Sequence, residues 1–172
     1  MDCPFDCERF RRYSVELPYP QVAVIKPNRR YAAIISGAFG SKGSEMTAIT
    51  QYGIHRLFLQ GYPEAFDAYK YIASVEMTHW QLLGGLIRDL GLEPRFLSYE
   101  TNCYWNGSFP AYRRAYHEIL EADVEGEYAA IEHYTRMIGL IDNEEIRSLF
   151  RRIILDEEKH IEILTGLYCG NQ

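Results

Sequence analysis

Two four-residue segments constrain this chain more than any other feature. Glu76-Met77-Thr78-His79 and Glu157-Glu158-Lys159-His160 both read E-x-x-H. On a helix, residues three apart lie one turn along on the same face, so a carboxylate and an imidazole can share one metal ion. A single such segment arises by chance in an acidic chain, but here the surroundings repeat too. Glu45-Met46-Thr47-Ala48-Ile49-Thr50-Gln51-Tyr52 reads E-x-x-A-I-x-x-Y, and so does Glu127-Tyr128-Ala129-Ala130-Ile131-Glu132-His133-Tyr134. The lone glutamates precede Glu76 and Glu157 by 31 and 30 residues, so the chain is two copies of one plan, offset by 81 to 82 positions. Each copy is a helix with a lone glutamate followed by a helix with E-x-x-H. The echo continues in Leu82-Leu83-Gly84-Gly85-Leu86 and Ile163-Leu164-Thr165-Gly166-Leu167.

The breakers between these helices fix a register. Gly61-Tyr62-Pro63 ends one helix and opens the next with proline in its first turn. Asp142-Asn143-Glu144-Glu145 reads as a capping box, Asp142 as the cap and Glu145 three residues on. In an antiparallel pair, residues equidistant from the turn lie side by side. Glu45 and Glu76 are centred on Gln60-Gly61, and Glu127 and Glu157 on Asp142. At 1.5 Å per residue each sits about 23 Å from its turn. All four carboxylates therefore meet at one level, midway along a bundle.

The remaining chain frames this bundle. Residues 1 to 27, with Pro4, Pro18, Pro20 and Pro27, read as an arm laid over the domain and not as a helix. Asn28 caps a short leading helix through Tyr31, Ala32, Ile34 and Ile35, which Gly37, Gly40 and Gly43 then interrupt. The core helices are expected from about Lys42 to Gln60, from Pro63 to Leu90 with Gly91 as the stop, from Pro110 to Ile141, and on to about Leu167. Residues 92 to 109 are loop-like and too numerous for a tight turn. The domain organisation is an arm over 1–28 and one domain over 29–172.

With 172 residues, 47% hydrophobic and 24% charged, the chain suits a single globular domain with a full core. A net charge of −6 argues against nucleic acid, and no basic run suggests a membrane surface. The start Met1-Asp2-Cys3-Pro4 is unlike a signal peptide and no apolar run would span a bilayer, so a cytoplasmic location is expected. Cys3, Cys7, Cys103 and Cys169 form no C-x-x-C pair, which excludes a rubredoxin-type iron site or zinc ribbon; Cys3 and Cys7, spaced C-x-x-x-C, read as two reduced thiols in preference to a redox or metal pair. Asn106-Gly107-Ser108 fits a glycosylation pattern that needs a secretion signal to matter.

Four Glu and two His suit a pair of redox metals. Carboxylates can bridge two ions and change binding mode, and each imidazole gives one ion a neutral donor. An oxygen-rich set favours iron or manganese over zinc. Glu76 and Glu157 are expected as bridges, Glu45 and Glu127 as terminal ligands, and His79 and His160 as the nitrogen donors. Tyr52 and Tyr134, two turns beyond the lone glutamates, are either hydrogen-bond donors to a ligand carboxylate or plain core residues. Asp156 either orients His79 across the bundle or is a surface charge. Its counterpart is Val75, so the two halves should differ there. His55, His117 and His133 point roughly 80° to 120° away from the ligand direction and are expected as non-ligands. Ile49, Leu82, Leu83, Ile131, Ile154 and Ile163 are expected in the core.

On these residues the chain resembles the ferritin-like superfamily of di-metal carboxylate proteins, near its rubrerythrin, bacterioferritin and manganese-catalase branches, over about residues 29 to 168. The resemblance implies an all-α fold, a four-helix bundle with a long crossover between the second and third core helices. It implies a dinuclear centre of two Fe or two Mn ions on Glu45, Glu76, His79, Glu127, Glu157 and His160. It further implies an oxidoreductase that reduces or dismutates hydrogen peroxide or dioxygen, with an external electron donor for the peroxidase form, assembled as a homodimer or higher homo-oligomer. Two departures stand out. There is no rubredoxin-like C-x-x-C tail, and Ala130 stands where some rubrerythrins carry a second glutamate, which leaves a six-ligand set. The alternatives are a ferroxidase or iron-binding protein of bacterioferritin type, and a non-enzymatic, metal-stabilised structural protein such as accompanies spore coats.

Overall fold

The computed structural model describes residues 7–23 and 26–170. Its elements in chain order are α1 (Cys7–Arg11), α2 (Arg29–Gly40), α3 (Glu45–Phe58), α4 (Pro63–Asp89), β1 (Leu97–Ser98), β2 (Cys103–Tyr104), α5 (Tyr116–Leu140) and α6 (Glu144–Gly170). Helices α3 and α4 form one hairpin, α5 and α6 the other, and α2 packs along α4. This is the ferritin-like four-helix bundle, with residues 90–115 as the crossover between the second and third core helices. No helix among the described residues is long and apolar enough to cross a membrane.

The helix ends follow local chemistry. Asn28 caps α2 by accepting from the Tyr31 N–H at 3.1 Å. Pro63 occupies the first turn of α4, and Gly91, at φ +92°, closes it. There the Gly91 and Leu92 N–H groups return to the carbonyls of Arg88 and Ile87, the Schellman arrangement that an L side chain would strain.

Four local expectations need correction. The residues read as a non-helical arm contain the five-residue α1. Gly37 does not interrupt α2, which runs on to Gly40; the His133 ring packs so closely that a Cβ on Gly37 would meet it at 3.2 Å. The third core helix begins at Tyr116, not Pro110. Side chains of α3 capture the backbone before it: Gln51 Oε1 accepts from Ala111 N at 2.6 Å, and His55 Nε2 from Arg113 N at 3.3 Å. The cap of α6 is Asn143, not Asp142, because Asn143 Oδ1 accepts from the Ile146 N–H at 2.9 Å. Glu145 accepts from Ala23 N at 2.8 Å and so holds the N-terminal segment instead of closing a capping box.

Two apolar clusters fill the bundle. One joins α2 to the later turns of α4 and α5 and the first turns of α6, through Ile35, Phe39, Leu83, Ile87, Met137 and Phe150. The other joins the end of α3 to the first turns of α4 and α5 and the last of α6, through Tyr52, Tyr69, Ile72, Ile119, Leu120 and Leu164. Of the expected core residues, Leu83 is fully buried, and Leu82, Ile154 and Ile163 pack against the clusters. Ile49 and Ile131 are only half-buried and join neither. The middle turns of the four core helices, between the clusters, are left to polar groups. Cys103 and Cys169 are exposed free thiols, whereas Cys3 and the side chain of Cys7 lie outside the described residues.

Candidate metal centre

Glu45, Glu76, His79, Glu127, Glu157 and His160 converge in that middle layer, all at most 4% exposed. They fall into two overlapping sets. Glu45, Glu76, His79 and Glu157 offer ligand atoms within 4.8 Å of one another, and so do Glu76, Glu127, Glu157 and His160. Glu76 and Glu157 are common to both.

The oxygens show how they are shared. Glu76 Oε2 lies 3.1 Å from His79 Nδ1, and its Oε1 lies 2.9 Å from His160 Nδ1. Glu157 Oε1 lies 3.3 Å from His79 Nδ1, and its Oε2 lies 3.2 Å from His160 Nδ1. Each of these carboxylates thus spans the two imidazoles. Glu45 Oε2 stands 3.8 Å from His79 Nδ1 and Glu127 Oε1 stands 3.5 Å from His160 Nδ1, each on one side alone.

The outer nitrogens of both rings are occupied. His79 Nε2 donates to Asp156 Oδ2 at 3.1 Å, and His160 Nε2 donates to the Tyr13 carbonyl at 3.0 Å. This fixes the orientation of both rings and turns both Nδ1 atoms to the centre. Asp156 is itself clamped. Its Oδ1 accepts from the Ser14 hydroxyl at 3.0 Å and Val15 N at 2.7 Å, while its Oδ2 accepts from the Tyr19 hydroxyl at 2.6 Å and faces Arg152 Nη1 at 2.8 Å. The two tyrosines are exchanged across the bundle. Tyr134 on α5 donates to Glu45 on α3, and Tyr52 on α3 donates to Glu127 on α5.

Burial and mutual contact set the protonation of this layer of four carboxylates and two imidazoles. Burial, reinforced by the charge of Glu76, pushes the Glu45 and Glu127 carboxyls well above the usual range. Burial also opposes the charge on Glu76, but the His160 and His79 imidazoles outweigh it and hold that carboxyl low. Both imidazoles, though burial disfavours their charge, are raised well above the ordinary histidine value, His79 chiefly by Glu157 and Asp156, His160 chiefly by Glu76. Burial and neighbouring carboxylates raise Tyr52 and Tyr134, so both remain O–H donors.

A metal pair fits these residues. Glu76 Oε1, both Glu157 oxygens and His160 Nδ1 are buried without a hydrogen-bond partner among the described residues. They are near one another yet misaligned for hydrogen bonding, as groups aimed at a shared point would be. An unsatisfied buried polar atom costs about 1–3 kcal/mol, more when charged, which a divalent cation would relieve. A cleft of ≈ 330 Å³ between α3 and α5, walled by Ala48, Ala122, Gly126 and Ala130, reaches Glu45, Glu76 and Glu127.

The rubrerythrin family model matches residues 41–168. The chain belongs to the rubrerythrin family. No curated protein sequence matches it. Among solved structures, this rubrerythrin-family chain superposes on KatB, a manganese catalase from Anabaena, with a TM-score of 0.82 at 20% identity over 90% of this chain and 78% of the other. A Rhodobacter capsulatus bacterioferritin gives 0.68 at 22% identity over 84% and 87%. A dodecameric thioferritin from Bacteroides fragilis gives 0.68 at 19% over 84% and 88%. At these identities the likeness is one of fold.

The other histidines of the family chain lie elsewhere. His55 Nδ1 pairs with Asp123 Oδ2 at 2.8 Å, His133 packs on Gly37, and the His117 ring packs edge-on against Tyr116 and Tyr168. Sequence reasoning missed two groups. Asp123 gathers His55, Tyr69 (2.7 Å) and Gln51 (2.7 Å) into a buried cluster, which its position one helical turn before Glu127 could have signalled. The supports from Tyr13, Ser14, Val15, Tyr19 and Arg152 carried no pattern, since several act through backbone atoms.

Proposed function

We propose that the chain is a di-metal oxidoreductase that reduces or dismutates hydrogen peroxide or dioxygen. The observation that carries the reading is the way Glu76 and Glu157 each divide their two oxygens between His79 and His160. Glu45 with His79 would hold one ion and Glu127 with His160 the other, Glu76 and Glu157 serving both. When bound, a pair of iron or manganese ions would supply the two electrons that peroxide reduction requires. The protein's own part is positional. Tyr52 and Tyr134 donate hydrogen bonds to Glu127 and Glu45, orienting the terminal carboxylates. Apolar layers above and below keep bulk water out. The cleft between α3 and α5 admits a small molecule to Glu45 and Glu127.

Homo-oligomerisation belongs to the same reading. The Bacteroides fragilis relative is described as dodecameric, and here Leu57, Phe58 and Tyr62 leave apolar surface exposed where α3 meets α4.

The test is peroxide consumption by protein reconstituted with iron or with manganese, with and without a reductant. Dismutation to water and dioxygen needs no reductant, whereas reduction to water does. Glu76→Ala should abolish turnover; a Glu76→Ala protein with full metal content and full turnover sinks the proposal. Iron oxidation without peroxide turnover would favour a ferroxidase. Metal that raises stability with no turnover would favour a structural role.

A further inference from the structure

The two halves of the centre are backed differently. Behind His79 stands a wholly buried carboxylate, Asp156, held by five groups: the Ser14 hydroxyl, Val15 N–H, Tyr19 hydroxyl, Arg152 guanidinium and the imidazole itself. The equivalent residue on α4 is Val75, fully buried and apolar. His160 consequently rests on a neutral acceptor, the Tyr13 carbonyl. All the arm residues involved precede the stretch 41–168 matched by the family model.

We propose that Asp156, clamped by the arm through Ser14, Val15 and Tyr19, makes the position between Glu45 and His79 the tighter of the two metal positions, so that the pair fills in a fixed order. This rests on the dinuclear reading above. A carboxylate accepting the Nε2 proton draws it more strongly than a carbonyl does, because charge-assisted hydrogen bonds are roughly twice as strong as neutral ones. The electron density left behind makes Nδ1 the better donor. Arg152 balances the charge of Asp156 and also donates to the Leu17 carbonyl at 2.7 Å and the Val15 carbonyl at 2.6 Å. The pair is thus close to neutral at a distance, and its effect is confined to the imidazole it touches. Asp156 is a positioning residue: it acts on the metal only through His79. The removal of such outer partners changes metal affinity by about 10- to 100-fold, which sets the expected gap between the two positions.

The experiment is crystallography of the full chain equilibrated with one equivalent of Mn(II), with anomalous data at the manganese edge. The expected result is density concentrated between Glu45 and His79. Asp156→Asn should even the two occupancies, and Tyr19→Phe, which removes one clamp and keeps the ring, should narrow the difference. Equal occupancy in the unaltered protein overturns the proposal, as does preference for the Glu127 and His160 side. So does an unchanged order in Asp156→Asn or, where that protein does not fold, in Tyr19→Phe. No manganese at either position, even in excess, would sink the dinuclear reading and this one with it, which separates the two failures.

Discussion

Tyr134 donates its hydroxyl to Glu45 on the opposite hairpin, and Tyr52 makes the reciprocal contact with Glu127. The lone-glutamate helices therefore orient one another's carboxylates. Removing one hydroxyl leaves a buried carboxyl oxygen short of a donor at unchanged shape. Tyr134→Phe should weaken the metal position at Glu45 by about 10- to 100-fold, and Tyr52→Phe the one at Glu127 by a similar factor. Competitive titration against a chelator of known affinity reads both. Unaltered binding in both variants would make the tyrosines plain core residues.

Sharing of Glu76 and Glu157 predicts a difference in stoichiometry. Glu45→Ala removes a carboxylate that faces only His79, so one ion should remain with Glu127 and His160. Glu76→Ala removes a carboxylate common to both sets, and well under one ion per chain should survive dialysis. Metal analysis by mass spectrometry gives the count. Equal loss in the two variants would mean that Glu76 is not shared.

Asp123 tests whether the second buried polar cluster is structural. Asp123→Ala would strand the Tyr69 hydroxyl, His55 Nδ1 and Gln51 Nε2 inside the bundle. At about 1–3 kcal/mol per stranded group, partly relieved by relaxation, the loss should be roughly 3 kcal/mol or more. Chemical denaturation measures it. Metal stoichiometry should not change, because Asp123 belongs to neither metal-facing set.

The plan of the bundle was legible in the sequence because both of its periods are long. The equal spacing of Glu45 from Glu76 and of Glu127 from Glu157 spans whole helices, and no local contact can disguise it. Partners supplied by tertiary approach were not legible. The backbone before α5 stays out of the helix where Gln51 and His55 capture it, and nothing in residues 110–115 announces that. The cap of α6 went to Asn143, one residue past the expected Asp142, a choice between two good caps that spacing alone does not decide. The spacing of Tyr52 from Glu45 does not show which carboxylate its hydroxyl meets; it crosses to Glu127. Asp156 was legible as a break in the repeat against Val75. The arm residues that clamp it were not, since a proline-rich segment shows no period.

The last prediction concerns pH, and the sign follows from which state binds protons more tightly. In the metal-free bundle, burial and the charge of Glu76 raise Glu45 and Glu127 well above 4.5, and neighbouring carboxylates raise His79 and His160 well above 6.5 despite burial. A group raised on folding contributes stability that is fully present below its unfolded value and is lost as pH rises through its folded one. Glu76 and Asp156 run the other way: their carboxyls are held low, so their contribution is present above the usual carboxylate range and lost as pH falls through their folded values. The metal-free protein should therefore be most stable in mild acid and lose stability as pH rises past about 6.5, the ordinary histidine value. Manganese or iron should reverse this near neutrality by replacing the protons that the cluster holds, and its binding should release protons. At a hundredfold excess over Kd, one ion adds about 2.7 kcal/mol, which for a chain of this size raises Tm by roughly 5 °C or more. Thermal scans of stripped and reloaded protein from pH 5 to 9, with proton release followed at constant pH, measure both effects. A stripped protein whose Tm climbs steadily from pH 6 to 8 would show that these side chains do not hold their protons more tightly folded than unfolded.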